Sequence, residues 1–308
     1  MSSITSTTVS ASQASLTLPA RAPPAKPNSY KLPTVQKVPT FENKADERLW
    51  AKRQMAAAFR VFAKLGFSDG VAGHMSLRDP ENPELFWISM LCFSRSIVAR
   101  PVANECVDPY AMHFSLIKVS DLVLVNAEGE IQEETPHAIS HAGFIIHSVL
   151  HEMRPDINVA VHLHSPHGVA WSAFGRPVEM LVQDMCYFYN DLSVYEGFGG
   201  TVLAKEEGRN LANALGPKNK NLILQNHGIL TCGSNVGEAA GLFIALERAC
   251  QRQLMIEAAA ANGIPKRYIN RDEAEYSKRY DYTPENTYMS FQPEYQAILA
   301  ETKGSFLE

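Results

Sequence analysis

The chain has 308 residues, 45% of them apolar, which suffices for a substantial core in one large domain or two small ones. Its net charge of -5 and pI near 6.1 give no basic footprint for nucleic acid or an anionic membrane surface, and no apolar run is long enough to span a bilayer. The five cysteines (Cys92, Cys106, Cys186, Cys232 and Cys250) follow no paired spacing, so they read as reduced thiols in a cytoplasmic protein, neither a disulfide framework nor a cysteine metal site.

Met1 to Thr40 hold no acid and are rich in Ser, Thr, Ala and Pro. The first twenty residues also lack Arg and Lys, and Pro19, Pro23, Pro24 and Pro27 would break an amphipathic helix, so residues 1–42 are expected to be a disordered tail rather than a transit peptide. A helix is predicted from about Asn43 to Leu65, with Leu49, Ala56, Ala57, Phe59, Val61, Phe62 and Ala63 as its buried stripe and Gly66 at the C-cap. Phe67 to Arg78 reads as a glycine-bearing turn running into a strand. Its Gly70 and Gly73 let backbone amides approach a ligand closely, although tight turns use the same residues.

Ser120 to Asn126 is a predicted strand, followed by the turn Ala127-Glu128-Gly129 and a helix from His137 to Glu152 that ends before Pro155. Asn190 to Gly200 reads as a loop with short strands, Glu206 to Leu215 as a helix closed by Gly216-Pro217, and Leu222 to Cys232 as a strand pair around His227 and Gly228. Gly237 to Ala261 is a long helix. Residues 263–308, polar and tyrosine-rich with weak periodicity, are expected to form an arm packed on the body or on a neighbouring subunit. Alternating strands and helices make this an α/β protein.

The chemistry concentrates in three histidines. His162 and His164 end the apolar run Ile157-Asn158-Val159-Ala160-Val161, and alternation in a strand points both the same way, about 7 Å apart along the chain, with Val159, Val161 and Leu163 on the opposite face. His227 opens an Asn-His-Gly corner after Leu222-Ile223-Leu224. Three neutral imidazoles suit Zn²⁺ or another divalent ion such as Fe²⁺ or Mn²⁺, with a position left open for water or substrate.

The order Gly73-His74-Met75-Ser76, then Arg154-Pro155-Asp156-Ile157-Asn158-Val159-Ala160-Val161-His162-Leu163-His164-Ser165, then Leu224-Gln225-Asn226-His227-Gly228-Ile229-Leu230 resembles the class II aldolase/adducin family over roughly Asp46 to Ala261. The resemblance implies a three-layer α/β/α domain over residues 43–262 around a mostly antiparallel sheet. It also implies a homo-oligomer, commonly a C4 tetramer, and a Zn²⁺ site at His162, His164 and His227. Gly73, His74, Ser76 and Asn226 fall where substrate would be bound. The fuculose-phosphate enzymes of the family carry Pro-Ser-Ser-Glu, with phosphate-binding serines and an acid/base Glu, aligned with Ser140-His141-Ala142-Gly143, a second phosphate element Pro-Ser-Gly aligned with Pro109-Tyr110-Ala111, and Gly-Asn where this chain has Gly73-His74. Relatives run from the Phe86-Trp87 strand almost directly into Asp108-Pro109; here residues near 91–107 intervene, as a functional insertion or an error in the gene model.

With the metal ligands kept and the phosphate and proton-transfer elements changed, the expected function is a metal-dependent lyase. It would act on a non-phosphorylated, small hydroxy-carbonyl substrate by aldol-type cleavage or decarboxylation. Its proton would come from Tyr189 (or the neighbouring Tyr187) or from His141. The alternatives are a non-catalytic assembly domain like the adducin head, of which Ala142-Gly143-Phe144 and Leu215-Gly216-Pro217-Lys218 are also reminiscent, and an iron-dependent oxidative enzyme.

Overall fold

Asn43 has extended backbone and accepts the Asp46 amide through its side chain, which starts the first helix, α1 (Lys44–Lys64); Gly66, at φ +76°, lets the chain leave it. A computed structural model of the chain describes residues 37–70, 72–89, 112–137, 139, 141–198 and 205–308, with only the backbone of His141 and Ala142. The expected insertion at 91–107 and the tail through residue 36 lie outside the described residues. Phe41, at the end of the expected tail, packs its ring 5.3 Å from that of Trp50.

Among the described residues, seven strands form one sheet: β1 (His74–Arg78), β2 (Phe86–Ser89), β3 (Leu122–Val125), β4 (Val159–Leu163), β5 (Leu192–Tyr195), β6 (Asn221–Leu224) and β7 (Gly228–Gly233). Their order is β3-β2-β1-β4-β7-β6-β5, and every neighbouring pair is antiparallel except β5 and β6. The helices are α2 (His141–Met153), α3 (Pro166–Ser172), α4 (Lys205–Leu215), α5 (Val236–Ala261), α6 (Arg271–Tyr280) and α7 (Pro284–Thr302).

Alternation along the strands divides the core into two layers of side chains. Met75, Leu77, Val159, Val161, Leu163, Ile223 and Ile229 face α1 and α5 in the larger cluster. Ala160, Leu222, Leu224, Leu230 and Cys232 face Ile145, Ile146 and Leu150 of α2 and Leu211 and Leu215 of α4. The result is helix, sheet, helix: the three-layer α/β/α arrangement with a mostly antiparallel sheet.

Two boundaries differ from the sequence reading. The second helix starts at His141, not His137. The C-terminal residues, expected as an arm without assigned elements, form two capped helices packed on the body: Asn270 and Thr283 cap α6 and α7, and α7 buries Tyr288, Phe291 and Ile298 against the α1–α5 layer, with Phe306 beyond it. Among the described residues, no helix is long and apolar enough to cross a membrane.

Candidate metal centre

Strand β4 lies in the middle of the sheet, between β1 and β7, so its backbone is paired on both sides and its even-numbered side chains all face α2. His162 is thereby fixed near the C-terminal end of the strand, opposite Leu230 of β7 and His74 of β1. His164 follows just past the strand end, on the same face. His227 stands in the turn between β6 and β7, where Asn226 takes a left-handed conformation (φ 59°) and donates its amide to the Ser172 carbonyl. The next residue, Gly228, has its Cα against the Leu163 carbonyl: a Cβ there would sit 3.2 Å from that oxygen and 3.6 Å from Cε1 of His162. Glycine is what lets the hairpin turn approach the end of β4.

The three imidazoles expected as ligands come together. Their ring centroids are 5.3 Å (His162 and His164), 4.7 Å (His162 and His227) and 4.9 Å (His164 and His227) apart, and one nitrogen from each lies within 4.8 Å of the others. His162 donates from Nδ1 to the Ile229 carbonyl at 3.0 Å, which leaves Nε2 as the lone-pair nitrogen. Burial lowers the pKa of His162 well below its usual 6.5, lowers that of His164, and brings His227 to about 4, with the neighbouring imidazoles adding to the effect on His162 and His227. All three are therefore neutral at pH 7, the protonation state that ligation requires. This donor set fits a divalent ion of the zinc or iron type.

The segment after His164 is held by one buried carboxylate. Glu247 of α5 accepts Ser165 Oγ at 2.5 Å, the Gly168 amide at 2.6 Å, and both the amide and Nδ1 of His167 at 2.8 Å. Among the described residues, Asp69 and Glu207 act against burial, favouring the protonated forms of His164 and His227 respectively.

Next to the cluster, the expected substrate residues His74 and Ser76 join two histidines to which the sequence reading gave no site role, His147 and His151. His74 contacts His147 (Nδ1 to Nε2, 2.7 Å); Ser76 Oγ contacts His147 Nδ1 at 2.5 Å and His151 Nε2 at 2.7 Å; His151 Nδ1 reaches the Ile157 carbonyl at 3.1 Å. The signal was available: His147 and His151 are four residues apart, so one helix face carries both. The ring of His74 is 5.2 Å from that of His162. Burial lowers the pKa of His74 and His147 well below 6.5 and that of His151 to about 3.

Of the expected substrate residues, Gly73 (φ 105°) packs its Cα on β4, where a Cβ would meet Leu163 Cδ2 at 2.6 Å and the His162 carbonyl at 3.2 Å. His74 and Ser76 belong to the histidine chain just described, and Asn226 is exposed in the turn beside His227. Tyr189 is not brought to the imidazoles. It precedes β5, which runs parallel to β6, whereas His227 follows β6; Tyr189 is thus at the other end of the sheet, packed with Cys186, Ala274 and Tyr282. Tyr187 is there too, its ring 3.9 Å from that of Tyr282 and its hydroxyl 3.3 Å from Ser290 Oγ. His141 begins α2, whose third residue, Gly143, lies against His74. A cavity lined by Trp50, Arg78, Asp79, Asn158 and Asn235 lies toward the N-terminal end of β4, away from the imidazoles.

An α/β/α sandwich with three histidines converging at the ends of β4 and the β6–β7 turn is the architecture of class II aldolases, and the family model described as "Class II Aldolase and Adducin N-terminal domain" matches residues 53–254. The chain belongs to that family. It is 35% identical over 263 residues to a protein named decarboxylase NovR from Streptomyces niveus, covering 85% of this chain and 88% of the relative. It is 36% identical over 229 residues to a 4-hydroxy-3-prenylphenylpyruvate oxygenase/4-hydroxy-3-prenylbenzoate synthase from Streptomyces roseochromogenus subsp. oscitans, covering 74% and 76%. Among solved structures, one titled L-fuculose 1-phosphate aldolase from Glaciozyma antarctica PI12 superposes with a TM-score of 0.74 at 34% identity, covering 88% of this chain and 96% of that one.

Proposed function

We propose that the protein is a divalent-metal-dependent lyase that cleaves or decarboxylates a non-phosphorylated hydroxy-carbonyl compound. The observation that carries this reading is geometric: His162, His164 and His227, all neutral donors, bring one nitrogen each to within 4.8 Å of the others. His162, His164 and His227 would hold the ion, which when bound polarises a carbonyl oxygen and offsets the charge that develops on it. His141-Ala142 and Gly143 stand where the fuculose-phosphate enzymes align their phosphate-binding serines and acid/base Glu, which argues against a sugar phosphate. The likeness to a protein titled as a fuculose-phosphate aldolase argues the other way, and the relative named a decarboxylase argues for loss of carboxylate.

The remaining residues position and protonate. Glu247 fixes the turn that carries His164, and Gly228 and Gly73 allow the three strands to close around His162. His141, at the start of the helix lying over His74, stands on the site's side of the sheet and is the proton donor we retain; Tyr189 stands at the far end. A second reading, oxidation on Fe²⁺ at the same ligands, is favoured by the relative named an oxygenase.

Purified protein is expected to carry about one divalent ion per chain, and to show negligible retro-aldol activity on fuculose 1-phosphate or ribulose 5-phosphate with saturating Zn²⁺. Hydroxy-acid and 2-oxo-acid substrates are the class to screen. Full metal content in the His162→Ala/His227→Ala double variant would sink the ligand assignment, and robust turnover of either sugar phosphate would sink the substrate class. Oxygen uptake with iron but not zinc would select the second reading. Turnover of no compound in the screen would favour a non-catalytic, adducin-like assembly role.

A further inference from the structure

With its three rings neutral, the hydrogen-bond chain beside the proposed metal centre has only one consistent polarity. The Ile157 carbonyl can only accept, so His151 carries its proton on Nδ1 and its Nε2 is an acceptor. Ser76 must then donate to His151, and its oxygen accepts from His147 Nδ1–H. That leaves His147 Nε2 as the acceptor for His74 Nδ1–H, and leaves His74 with its lone pair on Nε2. The one competing arrangement is a His147 cation donating from both nitrogens, to Ser76 and to His74, and burial of all three rings disfavours it. Four side chains and one carbonyl thus set a single tautomer at the end of the chain nearest the ligands.

The free end of that chain is in a defined place. His74 pairs with His162 across β1 and β4. Its ring is seated against the first turn of α2: a Cβ on Gly143 would overlap Cδ2 of His74 and lie 2.8 Å from Nε2, so the imidazole holds space that a side chain at 143 would claim. An Nε2 lone pair accepts a hydrogen bond and repels another acceptor, so it discriminates a hydroxyl from a carboxylate or phosphate oxygen.

We propose that His74 is a specificity-determining residue: locked as the Nδ1–H tautomer by the His147–Ser76–His151 chain, it accepts a hydrogen bond through Nε2 from a hydroxyl of the compound held at His162, His164 and His227. The substrate class is then a hydroxy-carbonyl compound whose hydroxyl lies beside its chelating oxygens. This rests on the metal centre proposed above, and the experiment separates the two.

Zinc-loaded protein is titrated calorimetrically with glycolohydroxamate and acetohydroxamate, two zinc chelators that differ by one hydroxyl, with metal content measured in parallel. The wild type is expected to prefer glycolohydroxamate by roughly tenfold, the effect of one hydrogen bond of ordinary strength. His74→Phe and Gly143→Ala, the second displacing the ring without removing it, are expected to bind zinc fully and both hydroxamates alike. Ser76→Ala is expected to weaken the preference. Equal binding by the zinc-loaded wild type, or a preference that survives His74→Phe, overturns the proposal. NMR of ¹⁵N-histidine-labelled, metal-free protein tests the lock without any metal: His74 is expected as the Nδ1–H tautomer, mixed with the other tautomer in Ser76→Ala, and an Nε2–H or doubly protonated His74 in the wild type overturns it. Failure of the wild type to bind zinc overturns the metal reading instead, and leaves the NMR result to decide the tautomer.

Discussion

Acidification below pH 6.5 is expected to destabilise the metal-free protein well before its carboxylates respond. His151 is 2% exposed and its pKa in the folded chain is about 3, against 6.5 for an ordinary imidazole. The folded value is the lower one, so between the two the unfolded chain binds more protons and stability rises with pH. The contribution is therefore complete above about pH 6.5 and is lost as pH falls toward 3. At about 1.4 kcal/mol per pH unit, this one residue removes about 2 kcal/mol by pH 5 and about 5 kcal/mol by pH 3. His74, His147 and His162 are buried in the same way and push in the same direction. Against a total of roughly 5–15 kcal/mol for a folded domain, that is a large fraction. Carboxylates ordinarily titrate near 4, so the interval from pH 6.5 to 5 isolates the imidazoles. The assay is a set of urea unfolding curves in EDTA at half-unit steps from pH 7.5 to 4.5. The free energy is expected to fall steadily below pH 6.5, and His151→Phe is expected to lessen the slope by about 1.4 kcal/mol per unit. A flat free energy from pH 7.5 to 5, or an unchanged slope in His151→Phe, would refute the reasoning.

Glu247→Gln leaves one oxygen and an NH₂ where four donors converge on a carboxylate, and is expected to cost about 3 kcal/mol in denaturant unfolding and to lower zinc occupancy through His164; unchanged values for both would remove its positioning role. Gly73→Ala places a methyl against Leu163 at a left-handed φ, and an expected loss of roughly 2 kcal/mol or more is read from the urea midpoint. Phe291→Ala empties a fully buried position between α7 and the body, with an expected cost of about 3–5 kcal/mol; a cost below about 1 kcal/mol would mean that α7 is not part of the folded core in solution.

The residues on β4 were legible because a strand has a period of two: Val159, Val161 and Leu163 went to one face and His162 to the other without any tertiary information. His227 was legible from the Asn-His-Gly turn. The His74 chain was not, because it depends on the pairing of β1 with β4 and on which face of α2 meets them, and neither is written in local periodicity. Gly143 and His74 read in sequence as two separate departures from the family; in space they are one contact, a ring occupying the room beside a glycine. The position of Tyr189 was not legible, because the parallel β5–β6 pair, a long-range pairing, commits it to the far end of the sheet. The C-terminal helices were obscured by composition: α6 buries only Ala274, and Pro293 inside α7 reads as a break, although Tyr288, Phe291 and Ile298 keep a helical spacing.

The central position of β4 also bears on how an ion would leave. The amides of Val159 to Leu163 lie in a strand bonded on both sides, so they should exchange with deuterium only through opening of the whole domain, among the slowest in the chain. His162 is anchored in that slow region, whereas His227 sits in the hairpin turn outside the strand ladder, where opening is expected to be more local. The two ligands would therefore detach on different timescales, and release of a bound ion to a chelator should follow the deuterium uptake of the β6–β7 turn and be indifferent to that of β4.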